Sequence, residues 1–151
     1  MLQAYEEGVE DPYWKKEEIR RLLKVFPEGQ IVIVVDDVVV GAALSLIVKE
    51  EWALSNHKYN DIVTESKFNA HNEDGDVLYG IDVFIHPDYR GLRLGRRLYD
   101  ARKELCEQLN LKSIIFAGRI PNYHNYAKEF TPKQYLEKVK TKEIHDPVIS
   151  F

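Results

Sequence analysis

Residues 78–97 read LYGIDVFIHPDYRGLRLGRR, and this run decides the fold. Val77 to His86 is apolar and β-prone and stops at Pro87-Asp88, the pattern of a strand buried on both faces. A loop containing Gly91 follows, and Leu94, Leu98, Ala101, Leu105 and Leu109 then recur at helical spacing. A strand, a glycine loop and a helix start bring backbone N–H groups and the positive end of the helix dipole together, which makes an anion site. Arg90, Arg93, Arg96 and Arg97 crowd that same end, where each cation is disfavoured by ~0.3–1 kcal/mol. Arg93 and Arg97 are also a like-charge i,i+4 pair, and Asp100 offsets part of the cost at Arg96. A bound polyphosphate accounts for this concentration of charge; a solvated basic helix start is the plain alternative.

Outward from this segment the chain alternates short elements. Asp11-Pro12 reads as an N-cap and first helical position, and Ile19, Leu22, Leu23 and Phe26 carry the helix to a stop at Pro27-Glu28-Gly29. Ile31–Val35 and Val38–Val48, parted only by Asp36-Asp37, read as a hairpin whose strands are covered on both faces. Lys49 to Asp76 lacks a clear period, and Ile62–Phe68 is its most helical piece. Ile114–Ala117 reads as a fourth strand. Thr131-Pro132-Lys133-Gln134 is a capping box that opens a last helix with Leu136 and Val139 inward. Pro147–Phe151 reads as a final short strand. The order α-β-β-β-α-β-α-β gives an α/β (α+β) domain with a mixed sheet, in place of a doubly wound one.

The 151 residues amount to one domain on the usual scale of ~100–200 residues, so 1–151 reads as a single unit. A composition of 44% hydrophobic and 30% charged residues excludes a disordered chain. The net charge of −4 argues against a dedicated nucleic-acid partner. Met1–Glu7 has neither the positive nor the apolar region of a secretion signal, and the apolar stretch Val38–Val48 is too short to span a bilayer. The expectation is a cytoplasmic protein with no membrane partner. Cys106 is alone, and His57, His71, His124 and His145 share no ligand spacing, so no metal is expected. His86, before Pro87, reads as a surface or capping histidine; Cys106, Trp14 and Trp52 read as packing residues. Neither G-x-x-x-x-G-K-[ST] nor G-x-G-x-x-G occurs.

The run VFIHPDYRGLRLGRRL (Val83–Leu98) resembles motif A of the GNAT superfamily of N-acyltransferases, which use acetyl-coenzyme A. That motif is Arg/Gln-x-x-Gly-x-Gly/Ala after a strand; Arg90 and Gly95 match its ends, and Arg93 stands where the family usually has glycine. A wider resemblance takes in FPEGQ (Phe26–Gln30), the Gly41–Val48 strand, the run from Asp76 to Cys106, and GRIPNYHNYA (Gly118–Ala127). Together these are similar to the N-terminal acetyltransferase-like domain of bacterial proteins that carry a C-terminal carbon–nitrogen hydrolase, with no hydrolase half here.

The resemblance implies a GNAT fold, a mixed and mostly antiparallel sheet flanked by helices, lacking the usual first and last strands. It implies acetyl-CoA as co-substrate and an amine on a small molecule, protein or peptide as acceptor. Val83, Phe84 and Ile85 would pair with the pantetheine arm through their backbones. Arg90, Gly91, Leu92, Arg93, Leu94, Gly95 and Arg96 would hold the pyrophosphate, and Asn122 or Asn125 lies near a cofactor-contacting asparagine of the family. Acetyl transfer needs a base for the amine, a donor for the oxyanion and a proton for the leaving thiolate. Asp82, on the cofactor strand, is the candidate base, with a structural acid pairing an arginine as the alternative; Tyr123 and Tyr126 are the candidate acids. The missing strands imply open sheet edges, closed either by a second copy through Val148–Phe151 or by Met1–Glu10 folding back. The rival to an enzyme is a non-catalytic CoA-sensing or protein-interaction module that regulates a hydrolase domain or partner.

Overall fold

A computed structural model describes residues 14–58, 61–62 and 68–150. They fall into two compact units, one ending at Phe116 and the other beginning at Ala117. In the first unit α1 (Lys16–Val25) starts where the Lys15 N–H donates to the Glu18 carboxylate at 2.7 Å. The helix start thus sits at Lys15, and Asp11-Pro12 lies outside the described residues. β1 (Ile31–Val35) and β2 (Val38–Val48) form the expected hairpin. Asp36 and Asp37 both adopt left-handed backbone, φ 48° and 61°, which matches a two-residue turn to the twist of the strands.

The sheet runs β1-β2-β3-β4, with β3 at Val77–Ile85 and β4 at Ser113–Phe116. β1/β2 and β2/β3 are antiparallel and β3/β4 is parallel, so the expected mixed, mostly antiparallel sheet is present. β2 is buried on both faces from Val40 to Val48, as its unbroken apolar sequence requires. β1 differs from expectation. It is the edge strand of the described sheet, and Val32 and Val34 point one face outward at 51% and 52% exposure. An edge strand needs no second cover, so its apolar sequence mimics that of a central one.

Successive residues of β2 feed two apolar clusters. Leu46 and Val48 join Leu22, Val77, Tyr79 and Ile81. Ile47 joins Phe26, Leu78, Leu105 and Cys106. α3 (Leu94–Gln108) packs Leu98, Leu105 and Cys106 inward as expected, and buries Arg102 with them. α2 (Glu50–Leu54), at the start of the stretch without a clear period, has too few residues to show one. Ile62 and Phe68 are buried, while 63–67 lie outside the described residues. Among the described residues no helix is long and apolar enough to cross a membrane.

In the second unit a 3-10 turn (Pro121–Asn125) precedes α4 (Pro132–Lys140). The capping box is as read: the Gln134 N–H donates to Thr131 Oγ1 at 3.3 Å and the Thr131 N–H to Gln134 Oε1 at 2.9 Å. The final strand is not. Residues 147–150 are a turn, because the Asp146 carboxylate accepts from the Val148 and Ile149 N–H groups at 2.9 and 3.1 Å. An acidic residue before proline satisfies the following amides locally, which outcompetes a ladder for these β-prone residues. The segment offered for exchange with a second copy is therefore held within its own unit, and Phe151 and Met1–Glu10 lie outside the described residues.

Candidate functional site

The site begins where the β3/β4 ladder ends. Its last rung is Gly80↔Phe116, yet β3 continues through Asp82, Val83 and Phe84 to Ile85. On its other side β3 stays paired with β2 across a bulge, where Leu44↔Asp82 is followed by Ser45↔Gly80 and Ile81 is the extra residue. Bulges of this kind re-aim side chains beside sites.

At the far end of β3, His86 caps the 3-10 turn Pro87–Tyr89 by accepting from the Asp88 N–H at 3.3 Å, the capping role its place before Pro87 suggests. The chain then passes Arg90 and turns at Gly91, whose φ of +81° requires glycine although open space surrounds it. Arg93 is the N-cap of α3 in left-handed backbone, φ 57° and ψ 23°. An arginine there costs ~1–2 kcal/mol relative to right-handed backbone. No side chain caps the helix and its first turn carries no acid, so among the described residues no capping group or first-turn acid answers the N–H groups of Leu94, Gly95 and Arg96. Arg90, Leu92, Arg93, Arg96 and Arg97 are exposed around this loop. Val83–Ile85 and Arg90–Arg96 thus come together at one end of the first unit, as strand, turn, loop and helix start.

The Asp82 carboxylate accepts from Trp14 Nε1 at 3.0 Å and from the Val83 N–H at 2.8 Å. Trp14 stacks on Phe68, with ring centroids 6.0 Å apart, so the tryptophan read as packing also fixes the acid. The arginine near Asp82 is Arg102, which binds its main-chain carbonyl, not its carboxylate.

Sequence reasoning missed two further groups. Arg102 is 1% exposed. Its Nε donates to Ser45 Oγ at 3.1 Å and its Nη2 to the Leu44 and Asp82 carbonyls at 2.6 and 2.7 Å, so the guanidinium is fastened under the bulge. Burial brings its pKa down to about 10, against the fields of Tyr99 and Asp82, which favour the cation. The second group is His57, with Nε2 2.8 Å from the Tyr79 hydroxyl and Nδ1 2.9 Å from the Ser55 carbonyl, its ring stacked on Trp52. Burial raises the Tyr79 pKa. A groove of about 520 Å³, lined in part by Trp52, Asn69, His71 and Glu73, opens in this unit away from the arginine loop.

The remaining candidates lie in the second unit. The Tyr123 hydroxyl donates to the Phe130 carbonyl at 2.9 Å, and Tyr126 stacks on Phe130. The Asn122 side chain donates to the His145 carbonyl at 3.2 Å, and Asn125 ends the 3-10 turn, exposed. Tyr135, fully buried, donates to Asp146 at 2.7 Å; burial and that bond push its pKa up to about 12. Among the described residues no group of three or more His, Cys, Asp or Glu is placed to hold a metal ion.

The likeness to known proteins agrees with this geometry. Over 138 residues, 91% of this chain, it is 45% identical to "Probable hydrolase YhcX" of Bacillus subtilis (strain 168), of which it spans 27%. It is 31% identical over the same length to "Uncharacterized N-acetyltransferase YkwB" of that organism, of which it spans 61%. The chain thus spans less than two thirds of the curated relatives it matches, and the match to part of a hydrolase agrees with the resemblance to acetyltransferase-like domains fused to hydrolases. The crystal structure of the loading GNATL domain of CurA from Lyngbya majuscula superposes with a TM-score of 0.73 at 23% identity, over 91% of this chain and 64% of that one. The GphF GNAT-like decarboxylase in complex with isobutyryl-CoA superposes with a TM-score of 0.79 at 16% identity, over 99% of this chain and 73% of that one. Both show the fold. Residues 1–133 match the acetyltransferase (GNAT) family, and with strand, arginine loop and uncapped helix in the order that family requires, the chain belongs to it.

Proposed function

We propose that residues 1–151 form one functional domain that binds acetyl-CoA and transfers its acetyl group to an amine, in the cytoplasm. The observation that carries this reading is the uncapped start of α3, with left-handed Arg93 and an arginine rim, at the end of a strand that outruns its β4 partner. These residues fit the cofactor: N–H groups of Gly91–Arg96 would hold its pyrophosphate, Arg90 would add charge, and Val83–Ile85 would pair with its arm as an added strand does. When bound, the cofactor supplies the activated acetyl group. Asp82 would take a proton from the acceptor ammonium, its carboxylate oriented by Trp14 and the Val83 N–H. Of the two candidate acids Tyr126 is the better, because the Tyr123 hydroxyl proton is engaged by Phe130; Asn122 and Asn125 keep the cofactor role the family resemblance gives them.

A second reading rests on those same bonds. Asp82 and Tyr123 are both hydrogen-bonded within the protein, as groups without a catalytic task would be, which favours a CoA-sensing module beside a hydrolase. The test has two arms. Saturating acetyl-CoA, near 100 times Kd, adds ~2.7 kcal/mol of stability by linkage, which a thermal melt reads as a rise of roughly 5–10 °C. Failure of millimolar acetyl-CoA to shift the melt overturns cofactor binding. Firm binding with no acetyl transfer to a broad amine panel overturns the transferase reading in favour of the sensor.

A further inference from the structure

The buried guanidinium of Arg102 has a task left over after it has fastened the bulge. Nε and Nη2 make all three of its hydrogen bonds, to one hydroxyl and two carbonyls, and Nη1 makes none among the described residues. None of these acceptors carries charge. The nearby Asp82 carboxylate favours the cation but accepts from Trp14 Nε1 and the Val83 N–H, so the charge of the buried guanidinium is compensated without a direct ion pair, an arrangement costly to the fold. Nη1 also has a definite place. Gly80 is the last β3 residue paired with β4, and a Cβ there would lie 2.9 Å from Nη1, 3.1 Å from Cζ and 3.2 Å from Phe116 Cβ. Glycine at this rung leaves its side-chain space to the guanidinium, so Nη1 sits under the point where the β3/β4 ladder ends.

That point is also where a bound cofactor would react, and this step rests on the acetyl-CoA reading above. With the pyrophosphate at the arginine loop, the arm runs back along β3 from Ile85 toward Gly80. Five residues of strand are about 17 Å at ~3.3–3.4 Å per residue, comparable to the reach of an arm built from two amide units and a cysteamine. Its sulfur would then come near the last rung. We propose that Arg102 is a catalytic residue of the transfer: Nη1 hydrogen-bonds the cofactor sulfur and stabilises the thiolate that leaves when the amine nitrogen has bonded to the acetyl carbon and the C–S bond breaks. The bonding pair passes to sulfur, the proton released by the amine balances the charge, and the arginine stays protonated throughout. A preorganised cation in a site closed to water stabilises such developing charge strongly. Among the described residues the ionisable groups facing the guanidinium are Tyr99 on its own helix, with the ring centroid 5.9 Å from Cζ, and Asp82 on β3; β2 presents Ser45 and the Leu44 carbonyl.

The test needs no acceptor and no turnover. Calorimetric affinities of CoA and of desulfo-CoA, whose thiol is replaced by hydrogen, are compared from pH 6 to pH 9. A neighbouring cation lowers a thiol pKa by ~1–3 units, so CoA gains about tenfold over desulfo-CoA across this range. Arg102→Met abolishes that gain, Arg102→Lys retains part of it through its charge, and both leave desulfo-CoA affinity within about twofold. Parallel profiles for the two ligands on the parent protein overturn the role of Arg102, whether or not the variants fold. Absence of binding by either ligand overturns the cofactor reading on which the role rests.

Discussion

Replacing Arg102 by methionine keeps most of the volume and removes every donor, and its effect on stability follows from the contacts. Three acceptors lose their partner: Ser45 Oγ, in a residue with no exposed surface, and the carbonyls of Leu44 and Asp82. Hydrogen bonds to a charged donor contribute ~1.5–3 kcal/mol each, so the gross loss is roughly 5–9 kcal/mol. Against this stands relief from burying a cation. The fall of its pKa from 12.5 to about 10 corresponds to roughly 3–4 kcal/mol at ~1.4 kcal/mol per unit. The balance is a loss of ~1–6 kcal/mol, or roughly 3–20 °C in Tm for a chain of this size. Buried ion pairs often tolerate apolar replacement because both partners can go together. Here two acceptors are main-chain carbonyls in a bulge, which no substitution removes. Ser45→Ala, which deletes only the Nε partner, should cost ~1.5–3 kcal/mol. The assay is a thermal melt followed by the fluorescence of Trp14 and Trp52, both in the unit that holds Arg102. An Arg102→Met protein melting within about 2 °C of the parent refutes the assignment of these bonds as net stabilising.

Arg93→Gly should move stability and ligand affinity in opposite directions. Release of left-handed strain (~1–2 kcal/mol) exceeds the flexibility cost of glycine (~0.5–1 kcal/mol), so Tm holds or rises while calorimetric CoA affinity falls; a fall in both refutes the strain. Stability should also decline in mild acid through His71, whose pKa burial lowers against the opposing pull of Glu73, and whose Nδ1 accepts the Ile47 N–H at 3.2 Å. The unfolded chain binds that proton more tightly, so the His71 contribution is intact above the ordinary pKa near 6.5 and is lost as pH falls below it, a slope that His71→Gln should flatten in urea midpoints at pH 7.5 and 5.5.

The parts of the site that were legible in the sequence are contiguous in it. Strand, Pro87, Gly91 and the α3 stripe lie within one short run, so local spacing and turn chemistry sufficed to place the strand, the glycine turn and the helix start. The Asp36-Asp37 hairpin was readable for the same reason. What escaped notice depends on pairs distant in sequence. Trp14 and Asp82 are 68 residues apart, and nothing near either residue announces their bond. Arg102 did leave a signal: it stands four residues after Leu98 and three before Leu105, on the buried face of the stripe, where an exposed arginine does not belong. At the C-terminus β-propensity points to a strand, but the Asp146-Pro147 pair favours a turn, and the Asp146 carboxylate closes it on the Val148 and Ile149 N–H groups.

Three costs meet around this strand end. Arg93, like Phe68 and Lys142, holds left-handed backbone with a long or bulky side chain, where Asp36, Asp37 and Asn110 are of types that tolerate it. The first turn of α3 carries arginines and no acid, against the helix dipole. Arg102 is buried on neutral acceptors. Packing explains none of them: Gly91 and Arg93 sit in open or exposed positions, and an apolar residue at 102 would fill the stripe. One polyanion carrying a sulfur at its far end offsets all three, because its phosphates would accept the helix N–H groups and face the arginines while its sulfur meets Nη1. On the proposed reading, the fold would be less stable empty than its core alone would make it and would recover that deficit on binding. Such strain is retained where the surrounding structure over-determines it and a ligand uses it. The order of contributions follows from the charges: phosphate contacts at an exposed loop are screened by salt, whereas the contact at Arg102 is not. Added salt should therefore weaken CoA binding through the loop, while the difference between CoA and desulfo-CoA at high pH stays nearly constant.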